Sequence, residues 1–183
     1  MENHIDLALV KEFYSNRYDP EDHSPRQCKV RGKTIKFDAA TLNTFLETPV
    51  VLEPGERYSK YSRYYHTHPE HQAIATKLCL LGRGFVLNTE GAPWKLLRKD
   101  LTTLAQTWSV LSYSNLASTS HTSDLNMDRV RLVYGLIMQM DMDLGSIILG
   151  QISQMAQSNS SRLGFPALII ALFLAFLSFF VIF

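Results

Sequence analysis

The chain has few cysteines and almost no net charge, and both shortages exclude classes of protein. Cys28 and Cys79 are the only two cysteines in 183 residues, too few for a disulfide scaffold, and they form no Cys-x-x-Cys pair. Eighteen Lys and Arg stand against 17 Asp and Glu, for a net charge of +1. This balance argues against attraction of the whole domain to nucleic acid. We therefore expect a reducing compartment and only local contacts with nucleic acid.

The amino terminus lacks the apolar run of a signal peptide, whereas the carboxy terminus carries a long apolar run. Glu2 and Asp6 interrupt the start of the chain, so secretory entry is not expected. Residues 165–183 contain no charged side chain, and Ser178 is their one polar residue. As a helix, residues 163–183 would extend about 31 Å, close to the roughly 30 Å hydrocarbon core of a bilayer. The sequence therefore predicts a tail-anchored, single-pass membrane protein with a cytosolic domain.

Five residues along this apolar segment are the candidate membrane contacts: Phe165, Leu168, Leu172, Phe176 and Phe180. The first alternative is a terminal helix buried in the domain. The second is a truncated reading frame, which would place the protein in the cytoplasm or nucleus.

Apolar side chains recur at helical spacing elsewhere, so residues 1–162 predict one mainly α-helical domain with a single small β-hairpin. The hairpin is expected over 28–37, with its turn at Arg31 and Gly32, and Asp38 is expected to cap the next helix. The other predicted helices cover 7–14, 69–81, 93–112, 124–140 and 143–157. The longest of them holds both tryptophans and is expected to form a wall of the core.

Residue types suited to metal binding or catalysis occur at unsuitable spacing. The stretch 66–71, HTHPEH, offers imidazole and carboxylate groups but lacks the helical HExxH arrangement of a zinc site. Ser120, His121 and Asp124 are adjacent in sequence, whereas catalytic triads converge in space. We expect no catalytic residue, metal or cofactor. An enzyme remains the alternative, and it would need groups such as His68, His121 and Asp124 to converge in one pocket.

Two cation-rich stretches are candidates for contact with nucleic acid, one in the predicted hairpin and one among tyrosines. Such stretches can follow phosphates or stack bases, but they also protect a sheet edge or cover the rim of a core. The seven cations are Lys29, Arg31, Lys33, Lys36, Arg57, Lys60 and Arg63. We expect any binding through them to be weak.

Five segments of the chain are similar to a known family. They are LVKEFYSNRY, VRGKTIKFDAATLNTFLETP, LTTLAQTWSVL, STSHTSDLNMDRVRLVYGLIMQMDMDLGSII and LGFPALI. In this order and spacing, over about residues 7–170, the chain resembles the putative plant transposon protein domain of retroelement-derived plant reading frames. The VRGK hairpin with its following helix and the SHTSDLNMDR helix start are the most specific parts. The resemblance implies an origin in a transposable element and carries over no activity, ligand or site residue.

The sequence as a whole predicts a non-enzymatic, transposon-derived interaction or structural module, tethered to a membrane by residues 163–183. A protein partner fits this prediction, and no small-molecule substrate is evident. The alternative is a nucleic-acid-associated module of a retroelement polyprotein that is truncated at its carboxy terminus. Truncation stays open because related chains continue after FPxLI with polar sequence, whereas ALFLAFLSFFVIF follows here.

Overall fold

The computed structural model describes residues 6–17, 26–52, 54–67, 70–115, 124–157 and 163–178. The chain forms two compact units, residues 1–49 with 144–183 and residues 50–143. The described residues are mainly helical, as predicted, with eight α-helices. They hold two small sheets, so the prediction of a single β-hairpin is wrong.

The first unit contains four helices and the hairpin: α1 (Leu7–Arg17), β1 (Gln27–Val30), β2 (Lys33–Lys36), α2 (Ala39–Phe45), α7 (Leu144–Gln157) and α8 (Pro166–Ser178). The second unit contains the remaining elements: α3 (Lys60–His66), α4 (His71–Leu78), β3 (Val86–Leu87), β4 (Pro93–Leu97), α5 (Thr103–Asn115), β5 (Asp124–Asn126) and α6 (Met127–Ile137).

The predicted hairpin is confirmed. β1 and β2 pair antiparallel, and the turn residues Arg31 and Gly32 have φ of 50° and 75°, the positive values that tight hairpin turns require. Alternate residues point inward, so Val30 and Ile35 are fully buried, with α1 packed on β1 and α8 on β2. The ring of Phe13 from α1 meets Phe37 at 5.1 Å between centroids. The hairpin is thus one wall of the core of the first unit.

α2 begins where the sequence predicts and packs closely on α7. The Asp38 carboxylate accepts a hydrogen bond from the Thr41 N–H at 2.9 Å, and this bond lowers the pKa of Asp38. At the contact with α7, the Gly145 N–H donates to Asn43 Oδ1 at 2.7 Å. A Cβ at Gly145 would overlap the carbonyl of Ala39 and the side chain of Asn43. Glycine therefore sets how close α2 and α7 approach.

The prediction of a membrane-spanning carboxy-terminal helix is wrong. α8 is 13 residues long, and within the described ranges none of the helices has the length and apolar character to cross a bilayer. The prediction of a single-pass membrane localisation is therefore wrong as well. Instead, Phe165, Ile169 and Leu172 are buried, and α8 packs on α1 and β2. Hydropathy and length gave the wrong prediction because a helix that is apolar on all sides suits either lipid or a protein interior.

Contacts of the amino-terminal helix hold the start of α8 in the first unit. The Tyr14 hydroxyl donates to the Gly164 carbonyl at 2.9 Å in a buried hydrogen bond. Leu168 and Phe176 are half-buried on the sides of α8. Phe180, the fifth predicted membrane contact, lies outside the described residues.

In the second unit, the predicted helix 93–112 is wrong in its first half. Residues Pro93–Leu97 form the middle strand of a three-stranded antiparallel sheet, where Leu96 pairs with Leu125. A 3₁₀ turn follows, and α5 begins at Thr103. Trp94 is consequently 55% exposed, whereas Trp108 packs against the core. Apolar residues three and four apart suggested one helix here, but they belong to a strand followed by a helix.

The helix predicted over 124–140 is confirmed in its central part as α6, which lies at the core of the second unit. Val130 and Val133 are fully buried. The cap is Asn126, whose side chain accepts from the Arg129 N–H at 3.0 Å. A Cβ at Gly135 would lie 2.6 Å from the ring of Tyr61, so this side chain of α3, a helix that the sequence did not predict, lies directly against α6.

Candidate functional site

The hairpin presents part of its predicted cationic surface to solvent. Lys29 lies opposite Thr34, and Lys36 opposite Gln27, so both lysines project from the outer face of the ribbon. Lys33, near the turn, is also exposed. The hairpin therefore offers positive charge to solvent.

The fourth cation of the hairpin, Arg31, forms ion pairs with two acids at the amino-terminal end of the chain. The Arg31 guanidinium lies 3.3 Å from the Glu12 carboxylate and 3.5 Å from the Asp6 carboxylate. The Arg31 N–H also donates to Glu12 at 2.7 Å. Both acids precede the hairpin in the chain, so a count of charges within residues 28–37 did not reveal this neutralisation.

The three cations of the second stretch do not lie on one helix. Ser59 caps α3 by accepting from the Ser62 N–H at 3.2 Å, so Arg57 precedes the helix that Lys60 begins. Arg63 forms an ion pair with Glu56. Of this stretch, Arg57 and Lys60 are therefore the exposed cations that could contact a phosphate.

The tyrosines of that stretch mostly serve the interior of the second unit. Tyr61 is 6% exposed, and Tyr64 stacks on Tyr134 with 5.4 Å between ring centroids. Burial raises the pKa of Tyr64 to about 12 and also raises that of Tyr61. Tyr58, at 65% exposure, keeps a free ring face for stacking. Whether the seven cations contact nucleic acid stays a prediction.

The candidate metal-binding and catalytic side chains that lie within the described residues have separate surroundings. His66 is exposed, and the ring of His71 meets Phe85 edge-on at 5.5 Å. The Asp124 carboxylate accepts from Lys95 Nζ at 2.7 Å. Within the described residues, no three His, Cys, Asp or Glu side chains come together as metal ligands. His68, Ser120 and His121 lie outside those residues, so the non-enzyme prediction stays a prediction.

Both thiols are buried and belong to different units. Cys28 is 6% and Cys79 5% exposed, and neither is in a disulfide. Burial raises the pKa of Cys28 to about 12 and also raises the pKa of Cys79, with Asp100 adding to the latter effect. Thiols held in the protonated form are poor nucleophiles.

Sequence reasoning missed an exposed apolar surface on the second unit. α5 has 13 residues and no ionisable side chain apart from Tyr113. Three of its large side chains keep roughly half of their area in water: Leu104 at 55%, Val110 at 42% and Leu111 at 45%. Leu104 and Leu111 lie seven residues apart, on the same side of the helix about two turns along it.

A turn next to α5 carries two more exposed leucines. The Leu80 N–H donates to the Asp100 carbonyl and the Thr102 N–H to the Leu78 carbonyl, each at 2.8 Å. These bonds hold Leu80 and Leu81 beside the entry to α5, with exposures of 49% and 104%. We call the set Leu80, Leu81, Leu104, Val110 and Leu111 the α5 apolar surface. The uncharged run 103–115 was its one signal in the sequence.

Sequence reasoning also missed a groove in the first unit, which we call the α2–α8 groove. Its volume is about 440 Å³. α2 supplies Ala40, Thr44 and Phe45, α8 supplies Ala175 and Phe176, and β2 supplies Lys36. Residues 46–165 separate α2 from α8 in the chain, so no local pattern could have predicted the groove.

A family model, the Putative plant retrotransposon-related domain, matches residues 1–176 of the chain. No curated protein and no solved structure matches it. The match covers both compact units and runs through most of α8. The chain therefore belongs to the putative plant retrotransposon-related domain family.

Proposed function

We propose that this chain is a non-enzymatic interaction module of a retrotransposon-derived reading frame, and that its partner is a second copy of itself. The α5 apolar surface carries this proposal. Large apolar side chains grouped in one exposed area are typical of protein interaction sites.

Charge favours a second copy as the partner. The α5 face contains no Asp, Glu, Lys, Arg or His, so two copies would meet across a two-fold axis without like-charge repulsion. A strongly charged partner would gain nothing from this face. Trp108, one helical turn after Leu104, packs against the core and anchors α5 to the second unit.

The size of the surface favours a weak contact. Burying the exposed part of five such side chains on each copy would gain about 10 kcal/mol. Association costs about 4 kcal/mol or more. The difference corresponds to a dissociation constant of tens of micromolar or weaker.

Sedimentation velocity over a range from about 10 µM to about 1 mM tests the proposal. We expect the parent chain to associate as its concentration rises, and the double variant Leu104→Lys, Leu111→Lys to stay monomeric. Leu87→Lys is the matched control, because Leu87 is also 55% exposed in the second unit but lies on β3. A parent chain that remains monomeric throughout would refute self-association.

Nucleic-acid association is the second candidate function, and the exposed lysines on the outer face of the hairpin favour it. Arg31 and Arg63 are already in ion pairs, so at most five of the seven cations can displace counterions. The log-log salt slope should then not exceed about 4 in magnitude for single strands. Titration of single-stranded RNA at low salt is the test. Lys29→Gln with Lys36→Gln should weaken binding, whereas Lys11→Gln on α1 should not.

A further inference from the structure

We propose that the α2–α8 groove binds an unbranched aliphatic carboxylate, with its carboxylate at Lys36 and its chain between the two helices. The groove lies in the first unit, so this site is independent of the self-association proposed for the second.

The packing of the first unit explains why a groove is present. α2 packs on α7, whereas α8 packs on α1 and β2, which leaves a gap between α2 and α8. The small side chains of Ala40 and Ala175 keep the gap open, and the rings of Phe45 and Phe176 line it. Leu172, 1% exposed, lies at its base. Such concave, mostly apolar sites of about 300–1,000 Å³ are typical of small-molecule binding.

The polar groups of the groove select the head group of the ligand. Lys36 is its one charged lining residue, it is exposed, and no acid among the described residues pairs with it. The two threonine hydroxyls of the groove already donate, Thr44 to the Ala40 carbonyl at 2.9 Å and Thr41 to the Asp38 carboxylate at 2.8 Å. A single ammonium beside apolar walls fits one negative group on an aliphatic body. It does not fit a sugar or a polyphosphate, which need several polar partners.

The volume sets the length of the chain. A water molecule occupies about 30 Å³ of liquid, and a methylene group is of similar size. The groove volume of about 440 Å³ thus accommodates roughly a dozen methylenes. Decanoate and dodecanoate are the expected best fits among linear carboxylates.

Calorimetric titration of the full chain with octanoate, decanoate and dodecanoate, each below its micelle concentration, tests the site. Each added methylene should tighten binding by up to about four-fold. Decanol should bind about two- to five-fold more weakly than decanoate, because it lacks the charge that meets Lys36. Lys36→Gln should abolish this preference for the carboxylate. Lys29→Gln, on the same face of the hairpin but outside the groove, should preserve it.

A bulky side chain placed in the groove provides a second, independent test of the site. Ala40 is exposed on α2, so Ala40→Phe can fold and should lower decanoate affinity at least ten-fold. Ala8→Phe, an exposed alanine on α1, is the matched control and should bind as the parent does. Ala40→Phe should also leave self-association unchanged, which separates failure of this site from failure of the proposed function.

Three results would overturn the proposal. The first is no saturable binding of any of the three carboxylates, and the second is affinity independent of chain length. The third is loss of self-association in Ala40→Phe without loss of decanoate binding, which would assign the groove to a second copy of the chain.

Discussion

Substituting Gly145 by Ala should destabilise the first unit, although alanine is the better helix former. The added Cβ would overlap Ala39 and Asn43 of α2, and such overpacking costs about 1–3 kcal/mol. Displacement would also weaken the hydrogen bond from the Gly145 N–H to Asn43, at a cost of about 1 kcal/mol. Higher helix propensity returns about 1 kcal/mol. The net change in the free energy of unfolding should be a loss of about 1–3 kcal/mol.

Gly150 provides the matched control on the same helix. A Cβ there would have no atom within 4 Å, so Gly150→Ala should gain about 0.5–1 kcal/mol from helix propensity alone. Urea denaturation followed by far-ultraviolet circular dichroism measures both changes. The packing of α2 on α7 described above would be refuted if the two alanine variants shifted stability in the same direction by the same amount.

Three further predictions concern the core, a cap and a thiol. Trp108→Ala should cost about 2–4 kcal/mol and Trp94→Ala less than about 0.5, since only Trp108 packs against the core; urea denaturation of both variants measures the difference. Asp38→Ala should cost about 1 kcal/mol at neutral pH. Because the folded pKa of Asp38 is lowered, this contribution is present above its unfolded pKa and should vanish as pH falls through the folded pKa, which denaturation at several pH values can follow. Cys28 should resist iodoacetamide at pH 8 in the folded chain and react readily once urea unfolds it, as mass spectrometry of the labelled peptide would record.

Local signals predicted the local structure well. The turn was predicted at Arg31 and Gly32, where both residues have positive φ, and the start of α2 was predicted from its cap, Asp38. Each outcome depends on backbone geometry within a few residues. The helix 143–157 was also correct to one residue at its start, because its apolar stripe is long and regular.

Features that depend on distant parts of the chain were not predictable. Spacing alone could not show that Leu96 pairs with Leu125 in a sheet, so β4 was predicted as helix. Hydropathy alone could not show that α1 and β2 supply a protein surface for α8, so lipid was assigned to it. At the candidate sites, the seven cations were identified from the sequence. The ion pairs of Arg31 with Asp6 and Glu12, and of Arg63 with Glu56, required the fold.

Complementary charges at the α5 apolar surface give the most direct test of the proposed self-association. One variant carries Leu104→Lys with Leu111→Lys, and the other carries Leu104→Glu with Leu111→Glu. Each should be monomeric alone because like charges face each other, whereas an equimolar mixture should associate in sedimentation velocity. A mixture that stays monomeric at concentrations where the parent chain associates would contradict the placement of the contact on α5.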